Sequence, residues 1–221
     1  MAEFVPSLRF HFLTPFYNFL FGILLPEKKL RDIIINIIET AKNDSLIELG
    51  CSTGGLTLPI AKKFPAARIY AVDVDKKALS ILERKLNKLP QHKISLINVS
   101  ASLLPFENKS NTTVVASLLF CNLIPDEKIK TLQEIKRILT NDGHLIIMDW
   151  GKPQTIFSAA GFKVLQWVGG HKTTDDLKQG KFKELLRNQG FTVAEMNYIN
   201  TGFGTLYFYD AGPKLQSNQF E

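Results

Sequence analysis

From Lys29 onward apolar residues recur at helical spacing (Leu30, Ile33, Ile34, Ile37, Ile38), and the stripe stops at the polar turn Lys42-Asn43-Asp44. That periodicity predicts one amphipathic helix ahead of the first strand. Beyond it, short apolar runs alternate with amphipathic stretches. Strands are predicted at 45–49, 68–72, 93–99, 113–119 and 144–149, and helices at 55–64, 76–88 and 126–139. The runs are near-continuous Ile, Val and Leu rather than alternating, as burial on both faces of a parallel sheet requires. After Asp149 the pattern changes. A loop around Gly151-Lys152-Pro153 leads into a mixed stretch up to Gly170, then a helix over 174–188 with Asp175 and Asp176 in its first turn. Two strand-like runs, 191–199 and 205–210, close the pattern as a hairpin on the sheet edge. The expected fold is α/β, a Rossmann-like doubly wound sheet of about seven strands, mostly parallel, with a C-terminal antiparallel hairpin and helices on both faces.

The stretch from Phe10 to Leu25 is dense in Phe and Leu but carries His11, Pro15 and Asn18. It lacks a basic leader and a small-residue cleavage site, and falls short of the ~20 apolar residues of a spanning helix. It reads as a lid packed on a pocket, or as an interfacial segment lying on lipid beside Lys28, Lys29 and Arg31. The chain therefore divides into an N-terminal aromatic segment (1–42), a ligand-binding domain (43–212) and a tail (213–221).

Composition narrows the classes. With 45% hydrophobic and 22% charged residues in 221, the chain is neither disordered nor a coiled coil. Two cysteines, Cys51 and Cys121, are too few for a disulfide framework or a thiolate zinc site, which fits a cytoplasmic setting and no structural metal. The net charge of +6 is scattered in pairs such as Lys62-Lys63 and Lys76-Lys77 rather than gathered in a stripe, so no nucleic-acid partner is expected.

The richest stretch runs from Leu46 to Gly55, a strand entering a small-residue turn that opens a helix. Such a turn lets a ligand approach the backbone and meet free N–H groups. As Gly50-x-Ser52-x-x-Gly55, with Asp73 about 20 residues on, it approaches the dinucleotide fingerprint. As Gly50-x-Ser52-x-Gly54 it fits the nucleophile elbow of hydrolases, with Ser52, Asp149 and His171 in triad order. Against the hydrolase, the turn follows the first strand and no oxyanion segment precedes it. The third reading adds an acid two residues ahead of the turn, Glu48-x-Gly50-x-Ser52-x-Gly54.

In that form the segment resembles motif I of class I S-adenosylmethionine-dependent methyltransferases, Asp/Glu-x-Gly-x-Gly-x-Gly. Ala71-Val72-Asp73-Val74-Asp75 is similar to the family's second motif, and Ala101-Ser102-Leu103-Leu104-Pro105-Phe106 to its Ala-x-x-Leu-Pro-Phe segment. Leu132-x-Glu134-x-x-Arg137-x-Leu139 with Asp142-Gly143 resembles its helix and turn before the fifth strand. Leu13-Thr14-Pro15-Phe16-Tyr17-Asn18 is similar to the lid of the ubiquinone/menaquinone C-methyltransferase branch. Departures stand beside the matches: Ser52 for the second glycine, Ser100 for an Asp that contacts the adenine amine, Asn111-Thr112 for Phe-Asp, and Phe120-Cys121-Asn122-Leu123 for a stretch that often holds a His pair.

The resemblance implies S-adenosylmethionine as cofactor and S-adenosylhomocysteine as product. On it, Gly50, Cys51, Ser52 and Gly54 would pass the methionine and ribose, with Glu48 supporting that loop or binding the amino group through it. Asp73 would accept the ribose hydroxyls, Val74 would pack on adenine, and Ser100 and Ala101 would line its edge. Ser117 and Leu118 would face the methionine end. Tyr17, Phe120, Cys121, Asn122, Asp149, Trp150 and His171 are the acceptor-side candidates, for a small or lipid-like acceptor of quinone type or another amphiphile. Peripheral membrane contact through the N-terminal segment fits such an acceptor. Two rival readings remain: a catalytically silent cofactor-binding module, motivated by Ser100 and Cys121-Asn122, and an NAD(P)-dependent oxidoreductase.

Overall fold

In the computed structural model, which describes residues 25–41, 45–89, 92–169 and 171–214, the first strand, β1 (Ser45–Leu49), is buried at every position. That burial explains why its apolar residues do not alternate with exposed polar ones, because a central strand has no solvent face to alternate toward. β2 (Arg68–Val72), β3 (Ile94–Ile97), β4 (Asn111–Ser117), β5 (Leu139–Gly151), β6 (Phe191–Thr201) and β7 (Gly204–Pro213) complete one sheet in the order β3-β2-β1-β4-β5-β7-β6. Pairing is parallel from β3 through β5, while β7 runs antiparallel to both β5 and β6. The predicted doubly wound sheet with its edge hairpin is the one observed.

Helices cover the sheet with the stripes their sequences predict. α1 (Glu27–Glu39) buries Leu30, Ile34, Ile37 and Ile38. α2 (Thr57–Lys63) follows the glycine turn. α3 (Lys76–Leu86) buries Ala78, Leu79, Leu82 and Leu86, and its first turn is capped by the Asp75 carboxylate, which accepts from Lys77 N and Ala78 N. α4 (Pro125–Ile138) buries Leu132, Ile135 and Ile138.

Two expectations past Asp149 need correction. The mixed stretch is a helix, α5 (Ile156–Gly169), packed on β7. Its start is a reciprocal cap: Ser158 N donates to Thr155 Oγ1 and Thr155 N donates to Ser158 Oγ, both at 3.0 Å. The helical period is hidden because apolar residues lie on both faces, Phe162 and Leu165 inward and Ile156, Phe157 and Trp167 outward. The single helix predicted over 174–188 is two pieces, α6 (Asp175–Lys178) and α7 (Phe182–Asn188), parted at Gly180, whose φ of +75° no continuing helix contains.

Candidate functional site

β1 is bonded to β2 on one side and to β4 on the other, so the chain leaves its carboxyl end toward one half of the sheet and returns on the other. That switch point is where open α/β sheets hold ligands. The turn after β1 is bound tightly there. Gly50 N and Cys51 N both donate to Val72 O, at 2.9 and 3.1 Å, and Gly54 N donates to Cys51 O at 2.9 Å. Gly50, Ser52 and Gly54 all have positive φ, of 74°, 49° and 83°. At Gly54 a Cβ would also stand 2.3 Å from Leu82 Cδ1, so glycine serves both the turn and the approach of α3.

Ser52, a serine in the left-handed region, is held by its own amide, which donates to Asp73 Oδ2 at 2.7 Å. Asp73 Oδ1 accepts from Asp75 N at 2.8 Å. The carboxylate is thereby fixed in orientation, and each oxygen retains a lone pair for a ligand hydroxyl. Val74 beside it is 46% exposed, an apolar shelf at the strand end. Asn98, which the sequence reading missed, pins this rim: its Nδ2 donates to Asp73 O and Val74 O at 2.9 and 3.0 Å. Its signal is an amide placed one residue beyond the third strand, alongside the acid.

Glu48 is buried within β1, and its Oε2 has no hydrogen-bond partner. Burial pushes its pKa up to about 8; the Asp73 charge adds to the rise and the nearby Thr57 hydroxyl opposes it. An orphaned carboxyl oxygen behind a turn rich in backbone N–H, beside an anchored strand-end acid, fits a cofactor with a cationic amino-acid end and a ribose. Burial, with the Glu48 and Asp73 carboxyls, also drives the Cys51 thiol well up, so it stays protonated.

Across the switch point, Leu118 sits just past β4 with φ +52°, its amide donating to Met148 O at 2.7 Å. Its carbonyl accepts from Asn122 Nδ2 at 2.8 Å and from Cys121 Sγ at 3.4 Å. Asp149, fully buried on β5, accepts from Cys121 N at 3.2 Å and Trp150 N at 2.8 Å. Burial lifts its carboxyl to about 6, against the pull of Trp150 N and Lys128. The Cys121 thiol is likewise driven up by burial and by Asp149. Lys128 is a second residue the sequence reading missed. Its Nζ, wholly buried, donates to both Asp176 oxygens, at 2.6 and 2.7 Å, and to Thr173 O at 2.8 Å. The signal was legible, since 128 falls on the same face as Leu132 and Ile135, the one charged position of that stripe.

Cys121, Asn122 and Asp149 thus come together. Phe120 and Trp150 do not present to an acceptor. Phe120 is fully buried with its ring 4.9 Å from that of Phe182, and Trp150 is 3% exposed, edge-on to Phe162. Both belong to the core, because their large apolar surfaces are covered from α7 and α5. His171 is surface-exposed, with Nδ1 3.5 Å from Asp175 Oδ1. The alternative Ser52, Asp149, His171 triad therefore does not assemble: Asp149 is taken by two backbone amides and His171 by Asp175. Tyr17 lies outside the described residues. Among the described residues no cluster of His, Cys, Asp and Glu could hold a metal ion. An open depression of about 630 Å³ runs along the start of α1, lined by Leu25, Lys28, Lys29, Asp32, Ile33 and Asn36, and involves none of the cofactor-side residues.

Two of the sequence motifs prove to be one device. Glu134 Oε2 accepts from Leu104 N at 3.0 Å, while the Arg137 guanidinium donates to Leu104 O, Phe106 O and Asn108 Oδ1 and to Glu134 itself. α4 thereby holds the loop that follows β3 against the sheet, next to Ser100 and Ala101.

Comparison with known proteins agrees with this arrangement. Residues 46–143 match a family model described as a methyltransferase domain. The chain is 27% identical to a ubiquinone/menaquinone biosynthesis C-methyltransferase, UbiE, of Geotalea uraniireducens, over 90% of this chain and 92% of that one. It is 25% identical to a demethylmenaquinone methyltransferase of Lactobacillus johnsonii, over 77% of each. The fold superposes on the crystal structure of a SAM-dependent methyltransferase from Aquifex aeolicus with a TM-score of 0.62 and 17% identity, covering 85% of this chain and 90% of that one. Sequence likeness and strand order point the same way: residues 46–143 carry a methyltransferase domain, and the chain is similar to class I S-adenosylmethionine-dependent methyltransferases.

Proposed function

We propose that this methyltransferase acts on a small, lipid-soluble acceptor, with quinone-type rings first, and that its cofactor is held by the residues around the glycine turn. The observation that carries the cofactor assignment is the anchored pair of Asp73 and the Glu48-backed turn. Relatives named as quinone methyltransferases along most of the chain, and the aromatic stretch from Phe10 to Leu25, support the acceptor class.

The cofactor, when bound, supplies an electrophilic methyl group on a sulfonium. The protein's part is to align donor and acceptor about 3 Å apart and to exclude water. Asp73 accepts the ribose hydroxyls and Val74 packs against the base. Glu48 would support the turn from behind or bind the amino-acid end through it. Ser117 and Leu118 bound the methionine end, and on the acceptor side Asp149 holds the Cys121 amide while Asn122 is tied to the Leu118 carbonyl. Burial drives both thiols well up, so neither Cys51 nor Cys121 is suited to act as a thiolate nucleophile. No helix among the described residues is long and apolar enough to cross a membrane. We propose a cytoplasmic setting, with residues 1–42 as an N-terminal segment whose aromatic stretch from Phe10 to Leu25 serves as a lid on the 43–212 domain.

Calorimetric titration tests the cofactor assignment. S-adenosylhomocysteine is expected to bind and the two nicotinamide cofactors are not, and Asp73→Ala should weaken S-adenosylhomocysteine roughly 10- to 100-fold through loss of charged hydrogen bonds. Methyl transfer from labelled cofactor to a short-chain demethylmenaquinone, read by mass spectrometry, tests the acceptor. Cofactor binding without transfer to any quinone would sink the acceptor reading and favour a silent module; preference for NADPH would sink both.

A further inference from the structure

Where the resembled pattern has an aspartate after the third strand, this chain has Ser100, and a second carboxylate reaches that position from another element. Ser100 Oγ lies 2.8 Å from Ser102 Oγ. Ser102 N donates to Ser100 Oγ at 3.3 Å, and Ser102 Oγ donates to Glu127 Oε2 at 3.0 Å. Glu127 stands in the first turn of α4, and Lys130 Nζ donates to its other oxygen at 2.9 Å. That hydrogen bond is the main cause holding the Glu127 carboxyl below the usual carboxylate range, so it is ionised at neutral pH and can only accept.

Proton bookkeeping then fixes the direction of the chain. Ser102 has a single hydroxyl proton, and Glu127 takes it. The proton between the two serines therefore belongs to Ser100. Ser100 commits that proton to Ser102 and one lone pair to Ser102 N, which leaves at its oxygen one lone pair and nothing to donate. The rim on which this happens is the base end of the site, because Asn98, two residues earlier, is bonded to Asp73 O and Val74 O.

We propose that Glu127 acts through Ser102 to set Ser100 Oγ as a pure hydrogen-bond acceptor at the base end of the pocket, so that the site selects a purine carrying an exocyclic amino group over one carrying a carbonyl there. Glu127 is a positioning residue in this scheme, and the inference rests on the S-adenosyl reading of the site. The carboxylate also polarises the relay, strengthening Ser100 as an acceptor.

The test is calorimetric titration of the full chain with S-adenosylhomocysteine and with S-inosylhomocysteine, which differs only in a carbonyl for the amino group and its attendant ring proton. The parent is expected to prefer the adenosyl ligand by roughly 10- to 100-fold, the effect of a donor replaced by a second acceptor. In Glu127→Ala and in Ser102→Ala the Ser100 proton is released. The inosyl ligand should then bind more tightly than it does to the parent, bringing the ratio to within about threefold, while adenosyl affinity changes little. Damage to the fold would weaken both ligands together, so a gain for the inosyl ligand is specific to the relay. Lys130→Ala, which leaves Glu127 ionised, should keep the parent's ratio. A parent ratio unchanged in both relay variants overturns the proposal and leaves the cofactor assignment standing. A parent protein that binds neither ligand overturns both.

Discussion

At the scale of single residues, Glu48 is the costliest group in the site and the most informative. Its folded pKa of about 8 lies well above the ~4.3 of an exposed glutamate, so the folded state holds a proton that the unfolded chain has released. Its contribution to stability is therefore fully present below pH ~4.3 and is lost as pH rises through about 8. The loss amounts to roughly 4 kcal/mol by pH 8. Glu48→Gln keeps the shape and cannot ionise. Urea denaturation of the variant should therefore show much less decline in stability between pH 5 and 8 than the parent, whereas parallel curves would mean that Glu48 titrates normally. Glu48 could be named from the sequence because it stands two residues ahead of the glycine turn, and Asp73 because an acid about 20 residues beyond such a turn is part of a known motif pattern that Asn98 and Lys128 do not share. Asn98 and Lys128 could not be assigned roles in that way, because their partners lie 24–25 and 45–48 positions away.

Between elements, the clamp from α4 onto the loop after β3 shows how two motifs that stand apart in the sequence act as one device in the fold. Arg137 satisfies two loop carbonyls while bonded to Glu134, which in turn takes the Leu104 amide. Arg137→Ala leaves those acceptors without the guanidinium and should lower stability by about 1–3 kcal/mol in denaturant titration. Arg137→Lys should recover less than half, since an ammonium cannot span the fork that a planar guanidinium does. An equal effect of the two substitutions would show that charge alone holds the loop. α5 illustrates a failure of periodicity. Its outward residues Ile156, Phe157 and Trp167 are 88%, 86% and 72% exposed, so the helix has no polar face from which a period could be read. Only its Thr155 and Ser158 cap carried the signal, and a serine in place of the usual glutamate made that cap easy to pass over.

Across the whole molecule, Lys128 ties α4 to the start of α6. The ammonium is wholly buried whereas Asp176 is partly solvated, so the two partners are not equivalent. Asp176→Leu strands a buried cation and should cost about 3–5 kcal/mol. Adding Lys128→Met to it should restore most of that loss, because a desolvated pair can be exchanged for apolar volume at little net cost. A double-mutant cycle by chemical denaturation measures this, and a double variant no more stable than Asp176→Leu would show that Lys128 serves the fold through packing rather than charge.

The sequence by itself determined the strand and helix alternation, the central strands to the residue at β1 and β2, the edge hairpin and the acid and glycine spacing of the cofactor side. Each is written in short-range periodicity or in local backbone requirements, such as the positive φ at Gly50 and Gly54. The tertiary structure decided which candidates reach the site. It drew Phe120 and Trp150 into the core, brought Asp149 to the Cys121 amide, set His171 against Asp175 and carried Glu127 to Ser102. Those outcomes depend on which faces remain uncovered after packing and on hydrogen bonds between residues far apart in the chain, and neither quantity has a local signature.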